Sequence, residues 1–471
     1  MISDIRQNSR TVQRQSTGAP AAQPAAFQGL SLEDKLEATC EQAKEIGSHL
    51  NPHVPGEVLV KLKPEGMGML DSDFVESYKS QVLRKFDLSD QGGLSVRNAP
   101  HEEILHLKLP EGVTTEQAIA AMKSDPRVEY AETNDIIQHY QQPVLVDDLQ
   151  PALWGLHNEG QNGGKVDADI DAPEAWKFTV GKNQSEGAPI IAVIDTGVDY
   201  NHPDLKANIW VNPGEIAGNG IDDDGNGVVD DVHGYNAQNQ SGDPMDDDKH
   251  GTHCSGTIGA VGNNGQGVVG VNHKANIMAV KFLGPNGGTL AGAIDGLLYA
   301  TKNGARVTSN SWGGGGYNQA LKDTLANSPA LHIFAAGNER NNNDAKPAYP
   351  ASYDLPNVIS VAATDRNDKL SSFSNWGAKS VDLAAPGSAI LSTVPGGQFE
   401  SFNGTSMACP HVSAVAGLLL AEDATLSNEE LRSLLLDSVD QVPALAGKTV
   451  TGGRLNAASA LKMLHEKSEE K

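Results

Sequence analysis

The sequence predicts an α/β protein built on a doubly wound, mainly parallel sheet with helices on both faces, preceded by a small α+β sandwich. Beyond residue 150, apolar runs of strand length alternate with helix-length segments, the pattern of a parallel sheet buried on both sides. Between Glu57 and Asn134 a shorter series of strand, helix, strand, helix and strand suggests a separate ferredoxin-like unit. Fifty glycines and 5% aromatics in 471 residues indicate tight turns and close backbone approaches, because hydrophobic periodicity persists throughout.

Residues 1–50 begin polar and rich in Ala, Gln, Pro and Ser, as in STGAPAAQPAAFQG, too polar to offset the entropy of ordering, and are read as a flexible tail. Within them only SLEDKLEATCEQAKEIGSHL has a capping serine and helical spacing. A second unit is expected over 51–140. EVLVKLK alternates as a half-buried strand, DFVESYKSQVLRKF has helical spacing and EILHLKLP alternates again. TTEQAIAAMKSD then reads as a capped helix and VEYAETN as a last strand. The third unit, 141–471, begins with the linker-like VLVDDLQPA. It continues through IIAVI, HGTHCSGTIGAVG, NIMAVKF, LAGAIDGLLYATKNG, ARVTSNS, LHIFAAG, VISVAAT, VDLAAPG and SMACPHVSAVAGLLLAE.

A formal net charge of −25 excludes nucleic acid as the expected partner, since phosphate binding needs a concentrated basic surface. Three cysteines, Cys40, Cys254 and Cys409, make no disulfide framework. No apolar run approaches the ~18 residues of a membrane span, so no membrane partner is expected. MISDIRQNSR lacks the apolar stretch of a secretory signal, and export is not legible.

Asp195 follows the strand IIAVI in VIDTGVD, where a carboxylate is held rigidly and Gly197 turns the chain away. His250 opens HGTHCSGTIGA, whose small residues let a helix pack closely. Ser406 stands in FNGTSMACPHVSA at the start of an apolar helix, with Gly404 expected to allow close backbone approach. Singly, each is an ordinary turn, core or N-cap residue. Together, in the order Asp, His, Ser, they supply the orienting group, base and nucleophile of acyl transfer.

Those three segments resemble the signatures of the subtilisin-like (S8) serine peptidases, over essentially all of residues 150–460. The resemblance implies that Asp195 orients the imidazole, His250 is general base and then acid, and Ser406 attacks the scissile carbonyl of a polypeptide. It makes His253 a structural partner. Asn338, in FAAGNER, stands where the family has its oxyanion-hole amide. Ser311, Trp312 and Gly313 of SNSWGGGG resemble the wall of the primary specificity pocket, and Gly287 and Gly288 resemble the strand that pairs with extended substrate. A pseudoenzyme and an α/β-hydrolase esterase are the rivals. The first would lack one of Asp, His, Ser or Asn, and the second would show G-x-S-x-G with serine first.

NGIDDDGNGVVDDVHG places Asp222, Asp224, Asn226 and the Val228 carbonyl at positions 1, 3, 5 and 7 of an EF-hand-like loop. His233 sits where the closing Glu belongs, so Asp230 or Asp231 is expected to complete a structural calcium shell. DDDKH, just before His250, reads as solvated surface. Cys254 and Cys409 read as buried packing thiols, with a bridge between them as the alternative.

Residues 55–140 resemble the family's inhibitor-like prodomain (I9), which implies a zymogen that cuts itself and keeps its own propeptide bound as an inhibitor. The expected cut falls after Tyr140, so that the mature enzyme begins near Gln141. By resemblance the enzyme is an extracellular monomer, with the cytoplasm as the alternative.

Overall fold

A computed structural model describes residues 30–47, 53–63, 70–87, 103–135, 148–314 and 316–469. The chain divides into two compact units, Met1–Tyr140 and Gln141–Lys471.

In the first unit, α1 (Leu32–Ala38) and α2 (Cys40–Gly47) precede β1 (His53–Leu62), α3 (Leu70–Ser77), β2 (Gln81–Asp87), β3 (Glu103–Lys108), α4 (Thr115–Lys123) and β4 (Val128–Asp135). The strands form an antiparallel sheet in the order β2-β3-β1-β4. Val58, Val60, Leu105 and Leu107 meet Phe74, Ile119 and Met122 in its core. Helix α4 is held by a capping box between Thr114 and Gln117.

One expectation for this unit is corrected. DFVESYKSQVLRKF is not one helix, since α3 ends at Ser77, Lys79 takes a φ of 49°, and β2 follows. Phe74, Tyr78, Val82 and Phe86 are spaced by four, which satisfies the helical period and the even period of a strand alike. The left-handed turn at Lys79 decides between them. The helix expected in SLEDKLEATCEQAKEIGSHL forms, divided at Thr39: Ser31 caps α1, Leu32 joins the core, and the buried Lys35 ammonium lies 4.4 Å above the Tyr78 ring.

In the second unit the strands are β5 (Ile190–Asp195), β6 (Gly234–Asn236), β7 (Ile277–Lys281), β8 (Ala305–Asn310), β9 (Leu331–Ala335), β10 (Val358–Thr364) and β11 (Leu383–Pro386). A hairpin of β12 (Ile390–Val394) and β13 (Gln398–Phe402) follows, then the short β14 (Asp440–Gln441) and β15 (Gly453–Arg454). The main sheet has the order β14-β15-β11-β10-β9-β8-β5-β7-β6, parallel except where β14 meets β15. The helices of eight residues or more are α5 (His250–Gly259), α6 (Leu290–Lys302), α7 (Gln319–Ala326), α8 (Thr405–Glu422), α9 (Asn428–Asp437) and α10 (Ala457–Glu469).

Alternate residues of β5 enter different cores. Ile191 and Val193 pack with Cys254, Ile258 and Val412 of α5 and α8, while Ala192 and Ile194 pack with Leu297 and Leu321 of α6 and α7. Both faces of the sheet are therefore covered, as the continuous apolar strands require. From β5 the chain runs to β6 and β7 on one side, then crosses to β8 on the other. The carboxyl ends of β5 and β8 flank this change of direction, where doubly wound sheets bind ligands.

Candidate active site

Asp195 ends β5, fully buried, and its Oδ1 accepts from Thr196 N and from His250 Nδ1, each at 2.7 Å. Its Oδ2 is buried without a partner among the described residues. His250 is the first residue of α5, and neither Lys249 nor any side chain at the N-cap closes that helix. Its free amides are satisfied from elsewhere: Gly251 N donates to Thr196 Oγ1 at 2.8 Å and Thr252 N to Asp246 Oδ2 at 3.0 Å. Asp246 Oδ1 also accepts from Thr196 Oγ1 at 2.9 Å, so one carboxylate ties the Asp195 turn to the His250 helix. The reading of DDDKH as solvated surface therefore fails at Asp246, which is 6% exposed. It fails partly at Asp247, which pairs with the buried Lys281 at 2.6 Å.

The close approach of turn and helix depends on Gly251, where a β-carbon would stand 2.1 Å from Gly197 O. Gly404 has no such role, since a β-carbon there would meet nothing nearer than 3.4 Å. His253 is buried behind His250, stacked on Phe402 at 4.3 Å, and its Nε2 donates to Ile390 O and Glu400 O. Burial pushes its pKa down to about 4, so it is neutral. For His250 burial acts in the same direction, but the adjacent Asp195 carboxylate outweighs it and the net shift is upward.

Ser406 is the second residue of α8, where the helical ladder leaves amide donors unused and the dipole favours negative charge. Pro410, four residues on, has no N–H to give Ser406 O. That carbonyl accepts instead from Ser311 Oγ at 2.8 Å and Cys254 Sγ at 3.5 Å. Ser406 Oγ donates to Ser311 O at 3.2 Å. The serine is thus bracketed by the end of β8 and by the His250 helix. Cys254 and Cys409 are both free and buried, and burial raises both thiols, Cys409 to about 11. A bridge between them does not occur.

Asn338 lies on the exposed loop after β9. Its Oδ1 accepts from Thr405 N at 2.9 Å and Thr405 Oγ1 at 3.0 Å, which leaves Nδ2 as the outward donor. Thr405 Oγ1 also accepts from Gly337 N at 3.1 Å. Gly287 and Gly288 form a short antiparallel ladder with Leu283 and Gly284. With Trp312, Gly313, Phe282 and Leu290 they line a cavity of about 420 Å³, whose Trp312 wall is braced edge-on by Phe282 and Phe334.

In the acidic loop, single carboxylate oxygens of Asp222, Asp224 and Glu215 lie within 4.8 Å of one another. Glu215, which lies outside the sequence pattern, was not expected. Its Oε1 accepts from Asp223 N and Asp224 N, while Oε2 is buried without a partner among the described residues. Asn226 Oδ1 accepts from Val228 N, and Asp231 is fully buried beneath Asn212, Asn226 and Tyr299. Asp230 faces away, its oxygens taken by the amides of Gly218, Asn219 and Gly220. Tyr140 and Gln141 lie outside the described residues.

An aspartate–histidine pair whose histidine lies on a helix that touches the serine-bearing helix, at the switch point of a doubly wound sheet, is an arrangement compatible with a serine peptidase. Residues 186–457 match the model of the subtilase family, Peptidase S8, and the chain belongs to that family. Residues 45–134 match the fervidolysin N-terminal prodomain. The chain is 38% identical to thermitase of Thermoactinomyces vulgaris over 62% of its own length and 93% of that protein. It is 34% identical to a thermophilic serine proteinase of Bacillus sp. (strain AK1), over 74% of this chain and 76% of that one. Among solved structures, a cold adapted subtilisin-like serine proteinase is 30% identical with a TM-score of 0.50, covering 65% of this chain and 99% of the other. A protease of Pseudoalteromonas arctica is 26% identical with a TM-score of 0.54, over 66% and 97%. The protein is a subtilisin-like serine protease with an N-terminal prodomain. Among the described residues no helix is long and apolar enough to cross a membrane.

Proposed function

We propose that this protease hydrolyses polypeptides through an acyl-enzyme formed on Ser406, and that it is made as a self-processing, calcium-stabilised zymogen. The observation that carries the reading is the 2.7 Å bond between His250 Nδ1 and Asp195, borne by the helix whose Cys254 touches Ser406 O. With its Nδ1 proton committed to Asp195, the imidazole offers Nε2 as a base. Ser406 Oγ swings from Ser311 O toward Nε2, gives up its proton and adds to the scissile carbonyl. His250 then returns that proton to the leaving amine. Asn338 Nδ2 and the Ser406 N–H would hold the oxyanion, with the amide worth about 2.7–4 kcal/mol, the value measured in subtilisin itself. The 420 Å³ cavity fits an apolar side chain of a peptide paired along Gly287 and Gly288. Titration with a fluorophosphonate, followed by mapping of the labelled peptide, tests the assignment. Label on a serine other than Ser406 overturns it.

The raised pKa of His250 sets the direction of the pH profile. Only the neutral imidazole accepts the serine proton, so kcat/KM should climb with pH through an inflection above about 6.5, the ordinary histidine value. Removing the carboxylate by Asp195→Asn should lower that inflection as well as the plateau. For stability the sign is opposite: a raised folded-state pKa stabilises most below the unfolded value, and this contribution fades as pH rises through the inflection. An inflection at or below 6.5 in the wild type would contradict the pairing.

For calcium, the buried unpartnered Glu215 Oε2 beside Asp222 and Asp224 gives the oxygen density and charge a hard cation takes. The proposed shell is Glu215, Asp222, Asp224 and Asn226, supported by the Val228 carbonyl and Asp231. Asp230 shapes the loop through its three amide bonds. Calcium at a hundred times its Kd would add about 2.7 kcal/mol to the folded state. Chelator should therefore lower the melting temperature by several degrees, and Glu215→Gln should shrink that shift. A melting temperature indifferent to chelator rejects the site.

The prodomain is proposed to stay bound as an inhibitor after cleavage, and the mature enzyme to act outside the cell as a monomer.

A further inference from the structure

We propose that Asn375 is the positioning residue of the oxyanion site. It sets where the Asn338 amide stands, without touching that side chain. This role rests on the reading of Asn338 as an oxyanion donor given above.

Asn338 is exposed, so packing does not hold it, and its place is inherited from the loop that carries it. Thr405 fixes the direction of its side chain from the front. Behind the loop lies Asn375, fully buried. Its Oδ1 accepts from Glu339 N and Asn341 N, each at 2.9 Å. Its Nδ2 donates to Ala336 O at 3.1 Å and to Glu339 Oε2 at 2.8 Å, and its own backbone N–H donates to Gly337 O at 2.9 Å. The partners 336, 337, 339 and 341 bracket position 338 on both sides, and none of the bonds reaches Asn338 itself. A side-chain amide offers two donor hydrogens and two acceptor lone pairs, and all are used.

Gly337 shows how closely the two surfaces match. Its φ is 109°, in the region that favours glycine, and a β-carbon there would stand 2.4 Å from Asn375 Nδ2. The neighbouring contacts, Trp376 N to Asn341 O at 3.0 Å and Asn343 N to Trp376 O at 2.7 Å, are backbone bonds that a substitution at 375 leaves in place. Changing the Asn375 side chain should therefore loosen the 336–341 turn locally. An oxyanion donor acts only where the negative charge develops, so a small displacement of Asn338 acts on the transition state and little on ground-state binding.

The test compares Asn375→Ala, Asn338→Ala and their combination in the processed enzyme, using a chromogenic peptide and a peptide aldehyde whose serine adduct carries an oxyanion. Asn375→Ala should lower kcat by about tenfold to a hundredfold, the scale expected for a misplacement near 1 Å, with KM little changed. Aldehyde affinity should fall in parallel. In the Asn338→Ala background the same change should cost less than about threefold, because coupled residues are not additive. Equal losses in both backgrounds, or a loss seen only in KM or in melting temperature, overturn the proposal. Should Asn375→Ala not fold, Asn375→Asp serves. It keeps both acceptor bonds but sets a carboxylate against Glu339, so adding Glu339→Gln should restore part of the kcat, and no recovery overturns the proposal. An Asn338→Ala enzyme with undiminished kcat removes the oxyanion reading itself, and the role of Asn375 with it.

Discussion

Ser406→Ala should fold as the wild type does and lose about a millionfold in kcat, the scale found when the nucleophile of a subtilisin is removed. The fold is expected to survive because the Ser406 hydroxyl makes one hydrogen bond, to Ser311 O at 3.2 Å. Losing one such bond costs on the order of 1 kcal/mol. The reciprocal bond from Ser311 Oγ goes to the Ser406 carbonyl, which alanine keeps. Helix α8 is buried along nearly its whole length, so its register does not depend on the hydroxyl. Nothing else nearby replaces the nucleophile: Cys254 is buried with its thiol raised, and it faces the backbone of Ser406. Peptide hydrolysis, active-site titration and thermal melting on one preparation decide the matter. Undiminished turnover in a folded variant would falsify the triad assignment, and a collapsed melting curve would show that the hydroxyl is structural. His250→Ala should cost a similar factor, and the two together little more than either, because the residues act as one unit.

The parts of this site that a sequence shows are those written in contiguous segments. Asp195, His250, Ser406 and Asn338 each sit at an element boundary with a strong local pattern, strand into Asp-Thr-Gly or Gly-Thr-Ser into helix. Their neighbours show which residues surround them without any partner from afar. What escapes is whatever is defined by a partner distant in the chain. Asp246 looks like surface charge in DDDKH because nothing local says that Thr196, 50 positions earlier, will bury it. Glu215 lies outside the EF-hand spacing, so only the folded turn brings it against Asp222 and Asp224. Asn375 carries no motif and acquires its role from a loop more than 30 residues upstream. The fold shows the same division. The long apolar strands and helices of the main sheet were legible, whereas β2 hid in a spacing of four that both secondary structures accept. The helical stretch before residue 48 was legible from its capping serine and spacing, and only its break at Thr39 was not.

The second large effect concerns maturation, and it is all or none. The chain should be cut once, after Tyr140 or within a few residues of it, in the wild type, and should remain whole in Ser406→Ala. The prodomain sheet ends with β4 at Asp135, and Tyr140 is the fifth residue beyond that end. The five residues 136–140, if extended, would reach about 17 Å at ~3.4 Å each. Gly287 and Gly288 stand exposed at the edge of their two-stranded ladder, free to pair with such a strand by backbone bonds, which are indifferent to side chains. Selection of the cut then falls to the pockets, and Tyr140 is the large, mainly apolar side chain in IIQHYQQP. On the proposed cut Tyr140 would fill the apolar pocket and Gln141 would not, so Tyr140→Asp should slow or displace the cut, while Gln141→Ala should leave it in place. Self-processing would use the same serine as every other substrate, so a wild type that stays whole, or a Ser406→Ala chain cut equally well when expressed without other proteases, would show that this enzyme does not process itself. Intact mass and N-terminal sequencing of the four proteins, side by side, read the outcome directly.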